Sequence, residues 1–154
     1  MSVKDTVRKQ YARLLDRAAE RLAGLYDPPE GWLATMRKAL GMSGAQVASR
    51  MGVTRNAVYQ AERNERDGAI TIHQMEKLAE AMGGRFVYAV VPRDSVADIM
   101  RAQAYRKAES RVRRAGAHMA LEKQALPDDL TRQRVADLAE ELVRDMPSDF
   151  WDAK

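Results

Sequence analysis

Five polar side chains share the spacing of one helix face between residues 55 and 63, and their types could recognise nucleic-acid bases. They are Arg55, Asn56, Tyr59, Gln60 and Arg63. An arginine can donate two hydrogen bonds to guanine, and an asparagine can pair with adenine. A tyrosine can offer its hydroxyl to a base or a phosphate, or its ring to a thymine methyl. Exposed side chains of these types also occur on helices that bind nothing, so the elements around them must decide.

The element that presents this face is predicted to be a helix that begins at Thr54. A threonine hydroxyl can accept a hydrogen bond from a free amide of the first turn, which makes this residue a good N-cap. When Val58 and Ala61 face inward, the 3.6-residue period turns the five polar side chains outward. The preceding helix is predicted to begin at Ser43, which has the S-x-x-Q spacing of a capping box with Gln46. Two short helices joined by a tight turn are therefore expected.

The composition narrows the classes of function. The chain has 26 Lys and Arg against 22 Asp and Glu, a net charge of +4 and a sequence pI of about 9.5, which suits an anionic partner. It has no cysteine and two histidines, of which only His118 has a carboxylate at i+4, Glu122. Two ligands are too few for a metal site, so we expect no enzyme, metal or cofactor. No apolar run approaches the roughly 20 residues of a membrane span, so no membrane association and a cytoplasmic location are expected.

Pro-containing breaks at 27–29, 91–92 and 126–127 divide the chain into four parts, the last two of which form one of three predicted segments, 1–26, 27–92 and 93–154. The first segment is predicted to be an amphipathic helix with one basic stripe. The stripe consists of Lys9, Arg13, Arg17 and Arg21. It could contact a phosphate backbone or an acidic protein surface, or it could simply be solvated. Both interpretations stay open.

The second segment is predicted to open with a helix that is capped by Asp27 and a proline and stops at Gly41. Its large apolar side chains are expected to face inward. They are Trp32, Leu33, Met36 and Leu40. A later helix should begin at Thr71, which has the capping-box spacing with Gln74.

After that helix, the residues 85–91 are mostly β-branched or aromatic, which predicts one short strand. A lone strand leaves its amides and carbonyls unpaired, so pairing with the same strand of a second copy is the economical solution. The predicted dimer strand is Phe86, Val87, Tyr88, Ala89 and Val90. A homodimer is therefore expected.

The third segment is predicted to contain a long helix over about 95–126 and a final helix over about 128–145. Residues 93–126 have 8 basic and 4 acidic side chains and residues 127–154 have 4 and 8, so opposite charges favour their packing together. The side chains expected to face inward from the final helix are Leu130, Val135, Leu138, Leu142 and Met146. Phe150 and Trp151 could dock on this body or on a partner. We expect a dimerisation or partner-binding region.

Three features near the turn occur in register. Ala48 provides a small side chain where the two helices approach, Gly52 can take a left-handed backbone, and Val58 provides a core anchor. Together with the Thr54 cap and Glu62, they resemble the helix-turn-helix of phage-repressor-like regulators, often called the Xre or Cro/C1 family, over roughly 30–83.

This resemblance implies roles for individual residues. It implies a structural ion pair between Arg37 and Glu62 and contacts with double-stranded DNA from nine residues. They are Ser43, Gly44, Gln46, Thr54, Arg55, Asn56, Tyr59, Gln60 and Arg63. The family usually has a glutamine that touches a phosphate where this chain has Gly44. One phosphate contact is therefore expected to be missing, although the backbone amides there could still approach a phosphate.

Longer stretches resemble a narrower family over nearly the whole chain. The leading basic helix, PPEGW, GMSGAQVASRMGVT, RFVYAVVPRDS and HMALEKQ look like mobile mystery protein A. Such proteins are typically encoded beside a Fic-domain protein, so the resemblance implies an autoregulating, antitoxin-like DNA-binding regulator with a possible Fic-domain partner. Fic inhibitors usually carry a Ser or Thr four residues before a Glu, a spacing that this chain lacks.

The expected fold is mostly α. It consists of a phage-repressor-like helix-turn-helix core with an N-terminal amphipathic helix, one short dimerising β-strand and a C-terminal helical pair. The expected function is a sequence-specific transcriptional regulator on a palindromic operator at the nucleoid. The alternatives are a free-standing Xre-type repressor without a toxin partner, and an adaptor that inhibits its partner without binding DNA.

Overall fold

A computed structural model describes residues 2–121 and 127–153, and this part of the chain contains seven helices and irregular connections. The helices are α1 (Val3–Leu22), α2 (Trp32–Ala39), α3 (Gly44–Met51), α4 (Arg55–Arg66), α5 (Ile72–Ala81), α6 (Val96–Leu121) and α7 (Asp128–Asp145). The mostly helical class is thus confirmed. None of these helices is long and apolar enough to cross a membrane. The chain divides into two compact units, Gly24–Ala89 and Met1–Ala23 with Val90–Lys154.

The unit Gly24–Ala89 packs α2 to α5 around one apolar core. Its buried members are Leu33, Val47, Ala48, Val58, Ala61, Met75, Leu78 and Met82. Val47 and Val58 are almost fully buried, because the two short helices of the predicted motif pack directly on each other. Burial of such side chains is the main stabilising contribution in a unit this small.

The predicted entry into α2 is wrong. The helix begins at Trp32, and its N-cap is Gly31, which has φ 87° and no side chain to offer. Asp27 instead accepts a hydrogen bond from the Trp32 indole at 3.1 Å. The carboxylate of Glu65, from α4, accepts from the amides of Trp32 and Leu33 at 2.6 and 2.9 Å. A cap can therefore come from a residue distant in sequence when the fold brings it to the helix end.

Two of the four apolar side chains assigned inward from α2 are largely exposed. Trp32 has 40% of its surface accessible and Leu40 has 46%, whereas Leu33 is buried and Met36 packs at the edge of the core. Trp32 is the first residue of the helix and Leu40 follows its last, and the helix enters the core through Leu33 and Ala34.

The predicted strand is also wrong. No strand forms in residues 2–121 or 127–153, and 85–91 is irregular. Phe86 packs at the edge of the core and stacks on Tyr88 with ring centroids 5.6 Å apart. Val87 and Val90 are exposed. A strand is defined by a hydrogen-bonded ladder, and the β-rich composition of this segment supplies no second segment to pair with.

The other unit combines α1 with α6 and α7. Helices α6 and α7 and the segment after α7 form its core, whose buried members are Ala104, Ala108, Val135, Ala139, Leu142 and Phe150. The small side chains of Ala104 and Ala108 on α6 let α7 approach closely. Leu130 was expected to face inward but is 52% exposed, because it lies on the far side of α7 from this core.

The C-terminal segment docks on α6 of its own unit. Phe150 is 1% exposed, and its carbonyl accepts a hydrogen bond from the Gln103 amide at 2.8 Å. Lys107, whose side chain is buried, donates to the Asp149 carbonyl and lies 3.5 Å from its carboxylate. Trp151 packs edge-on against Phe150 and remains 55% exposed. Of the two aromatic residues, only Phe150 thus enters the core.

The first helix belongs to this unit as well. Ser2 caps α1, and the Asp16 carboxylate accepts a hydrogen bond from the amide of Val96, the first residue of α6, at 3.0 Å. No residue of α1 is fully buried. The predicted segments 1–26 and 93–154 were separated by sequence breaks, whereas this contact joins residues that lie far apart along the chain.

Part of the predicted long helix lies outside the described residues. The described α6 ends at Leu121, and the predicted continuation to 126 falls in 122–126, as does Glu122 of the His118–Glu122 spacing. The start of α6 agrees with the sequence, since the Ser95 hydroxyl accepts a hydrogen bond from the Asp98 amide at 3.0 Å.

Candidate nucleic-acid interface

Local caps and a left-handed turn fix the two helices of the motif. The Ser43 hydroxyl accepts from the Gln46 amide at 3.1 Å, and the Gln46 side chain accepts from the Ser43 amide at 2.8 Å. Gly52 ends α3 with φ 70°, a conformation that costs glycine little. The Thr54 hydroxyl accepts from the Ala57 amide at 3.2 Å and begins α4. Each of these positions was predicted from the local sequence, because every one of these contacts joins residues at most four apart.

The outward face of α4 has two free side chains at its N-terminal end. Val58 and Ala61 are buried on the opposite side, which fixes the rotation of the helix. Arg55 and Asn56 are exposed and make no hydrogen bond or ion pair with another residue in the described part of the chain. Their donors and acceptors are therefore available to a ligand without breaking an existing interaction.

The polar side chains on the next turn of the same face already bond to each other. Gln60 accepts from Arg63 at 2.8 Å and donates to Asn64 at 2.8 Å. Asn64 was not predicted as part of this face, although its i+4 spacing from Gln60 is that of neighbouring side chains on a helix surface. A ligand that uses Gln60 or Arg63 must compete with these bonds, or use the lone pairs and donors that they leave free.

An ion pair joins α2 to α4. The Arg37 guanidinium donates to the two Glu62 carboxylate oxygens at 2.6 and 3.3 Å and to the Met42 carbonyl at 3.1 Å. The side chains are 12% and 6% exposed. The hydrogen bond to Glu62 raises the pKa of Arg37 above its usual range. Because both charges are removed from water, the pair depends on this two-point geometry.

Tyr59 is less available than its position on the helix suggests. It is partly buried, and the Arg37 guanidinium carbon lies 5.5 Å from its ring centroid, a cation–π contact. The end of the ring lies against Gly44 at the start of α3, where a Cβ would come within 2.5 Å of Cζ. Gly44 is buried under this ring. Both residues were predicted to contact DNA, but their contact with each other was not predicted, since they are on different helices.

The predicted basic stripe of α1 belongs to the other unit. Its four members, Lys9, Arg13, Arg17 and Arg21, are exposed. Exposure agrees equally with a phosphate contact and with a solvated face, so both interpretations stay predictions.

A helix-turn-helix family model matches residues 33–88, the region that contains α2 to α5. Residues 33–88 are an Xre-type helix-turn-helix domain. This match confirms the core fold that the sequence predicted and supports a DNA-binding regulator of Xre type. No curated protein and no solved structure gives a significant match to the chain.

In this Xre-type domain, α3 and α4 are the two helices of the motif and α4 is the one in the recognition position. The recognition helix of such motifs lies in the major groove, and its N-terminal residues contact base edges. Arg55 and Asn56 lie in the first turn of α4.

Proposed function

We propose that this chain is a sequence-specific DNA-binding transcriptional regulator that reads the major groove with α4. The observation that carries the proposal is the pair of exposed, unpaired side chains, Arg55 and Asn56, in the first turn of the recognition helix. Arginine and asparagine are the side chains that recognise guanine and adenine by two hydrogen bonds each. The proposed function is binding rather than catalysis.

The test compares Arg55→Ala and Asn56→Ala with Lys77→Ala, which removes an exposed, unpaired charge from α5 of the same domain. The probes are a duplex selected by the wild-type chain from a random library and an unselected duplex of equal length. Each interface substitution should cost about 1 to 3 kcal/mol on the selected duplex and less on the other, because base contacts are lost. Lys77→Ala should leave the ratio of the two affinities unchanged. Equal losses on both duplexes would mean that Arg55 and Asn56 touch phosphates only.

The regulator is further proposed to bind a palindromic operator as a homodimer. Helix-turn-helix proteins commonly pair so that two recognition helices enter successive major grooves. Two apolar side chains on α1, Tyr11 and Leu14, are exposed in the described part of the chain and offer apolar surface to a second copy. The strand that was expected to join two copies is not part of this proposal.

The finer proposal is an autoregulating, antitoxin-like protein of a two-gene module with a Fic-domain partner, acting in the cytoplasm at the nucleoid. Its support is the resemblance of PPEGW, RFVYAVVPRDS and HMALEKQ to mobile mystery protein A. Co-expression of the full chain with the product of the adjacent gene tests it. A stable complex with a Fic-domain protein supports the module, whereas operator binding without any complex supports a free-standing repressor. Binding to the partner but not to DNA supports an adaptor.

A further inference from the structure

The end of the Tyr59 ring fills the space that a side chain at residue 44 would occupy. This packing limits what Tyr59 can contact. A Cβ at Gly44 would lie 2.5 Å from Cζ, 2.7 Å from the hydroxyl oxygen and 2.8 Å from Cε1 of Tyr59. Real Cβ atoms do not approach other atoms so closely, so any other residue at 44 would displace the ring. The φ of Gly44 is not positive, and the backbone alone would accept another residue. A residue larger than glycine is therefore accommodated at position 44 only if the Tyr59 ring moves.

The ring is held in place from a second direction. Arg37 lies over its face at 5.5 Å, and Arg37 is itself fixed by two bonds to Glu62 and one to the Met42 carbonyl. With its end against Gly44, the ring cannot swing outward without losing both contacts. The Arg37 guanidinium covers one face of the ring, so a thymine methyl can contact only the other face. This arrangement restricts the base-reading role of the ring.

The hydroxyl of Tyr59 is unpaired but reachable. It makes no hydrogen bond with another described residue. No fully buried side-chain nitrogen or oxygen in the described residues lacks a partner, so this unpaired oxygen must reach solvent. It lies beside the first residue of α3, although Tyr59 belongs to α4. In a helix-turn-helix complex, the first helix of the motif crosses the DNA backbone while the second enters the groove.

We infer that the Tyr59 hydroxyl donates to a backbone phosphate, in the place that a side chain at residue 44 would otherwise occupy. This inference rests on the proposed DNA-binding function. Base reading then falls to Arg55 and Asn56, and Tyr59 sets affinity and docking position without reading sequence. Tyrosine hydroxyls are among the ordinary phosphate donors in protein–DNA complexes.

The test is Tyr59→Phe, which removes the hydroxyl and keeps the ring over Gly44. Affinity should fall about threefold to tenfold, equally on the selected and unselected duplexes, because a phosphate contact carries no sequence information. The slope of log affinity against log salt should stay unchanged, since a neutral hydroxyl displaces no counterion. The control is Tyr26→Phe, an exposed tyrosine of the same unit, which should change neither affinity. Thermal unfolding of both variants checks that the fold is retained.

Each other result overturns the inference. A loss on the selected duplex alone would assign the hydroxyl to a base, and no loss on either would make Tyr59 a packing residue only. These results require a wild-type chain that binds DNA. If the wild type binds neither duplex, the proposed function itself fails, and this inference fails with it.

A pair of substitutions tests the shared space directly. Gly44→Gln alone should weaken binding to both duplexes, because its side chain meets the Tyr59 ring. Combined with Tyr59→Ala, which vacates the space, Gly44→Gln should bind more tightly than Tyr59→Ala alone, since the glutamine amide can then donate to the phosphate. A double variant no tighter than Tyr59→Ala would show that the two positions do not share a contact.

Discussion

Replacing Glu65 with alanine should lower the free energy of unfolding by about 2 kcal/mol. The carboxylate is the cap of α2, and its oxygens lie 2.6 and 2.9 Å from the amides of Trp32 and Leu33. Loss of an N-cap costs about 0.5 to 2 kcal/mol, and hydrogen bonds to a charged group contribute about 1.5 to 3 kcal/mol. Glu65 is partly exposed, so water replaces some of the lost interaction. This places the expected loss near the overlap of the two ranges.

The N-cap residue itself cannot replace the lost cap. The N-cap residue is Gly31, and a Cβ there would lie 3.0 Å from the carboxylate of Glu65, so the glycine leaves the room that the carboxylate uses. Asp27 is engaged by the Trp32 indole. Glu65→Gln keeps one acceptor oxygen but loses the charge, and it should therefore show an intermediate loss.

The assay is unfolding of the full chain followed by tryptophan fluorescence in a Trp151→Phe background. The chain has two tryptophans, so Trp32 at the start of α2 is then the only reporter. A loss of about 2 kcal/mol should lower the midpoint of thermal unfolding by about 8 to 16 °C in a unit of this size. Glu76→Ala is the matched control, because Glu76 is exposed on α5 and pairs with no described residue. It should change stability by less than about 0.5 kcal/mol. Equal stabilities of the Glu65→Ala and Glu76→Ala variants would refute the claim that Glu65 stabilises the domain by capping α2.

Two further predictions follow from the ion pair and from the proposed dimer. Glu62→Ala should destabilise the domain by about 3 to 5 kcal/mol in urea unfolding, because it leaves Arg37 buried without its counter-charge, and Glu62→Gln should cost less. An unchanged urea midpoint for Glu62→Ala would show that the Arg37 guanidinium becomes hydrated when its partner is removed. In sedimentation, two chains should bind a duplex with two inverted half-sites, and a single half-site should bind much more weakly. Saturation of the two-site duplex by one chain would rule out the palindromic arrangement.

The parts of the site that could be predicted from the sequence depend on contacts within three or four residues. The capping box of Ser43 and Gln46, the turn at Gly52 and the Thr54 cap are set by neighbours along the chain, so spacing identifies them. The rotation of α4 was also predictable, because Val58 and Ala61 repeat at the helical period and must face the core.

The parts that could not be predicted depend on contacts between helices. Glu65 lies 33 residues after the amide of Trp32 that it caps, and no local pattern marks it as a cap. Tyr59 has the spacing of an outward side chain, yet its ring lies on Gly44 of the neighbouring helix. The pairing of Arg37 with Glu62 was expected only through the family resemblance, which supplies the tertiary information that spacing lacks.

The prediction of a strand over 85–91 was wrong for a related reason. β-propensity describes side chains that suit a pleated, half-buried surface, and Val87 and Tyr88 satisfy it. A strand also needs a partner for its amides, and propensity contains no information about a partner. The same composition instead places Phe86 at the edge of the core and leaves Val87 exposed.

The acidic residues of α4 explain how one short helix can both hold a fold and remain open to a ligand. Glu62 and Glu65, one turn apart, engage α2 at two points: the Arg37 guanidinium and the first amides of the helix. These contacts fix α4 against its neighbour through side chains that face α2. Arg55 and Asn56, on the outward side, take no part in holding the helix and keep their hydrogen-bonding groups free. Because the helix is already fixed in place, its backbone loses little conformational entropy on binding. A helix that became ordered only on binding would bind more weakly.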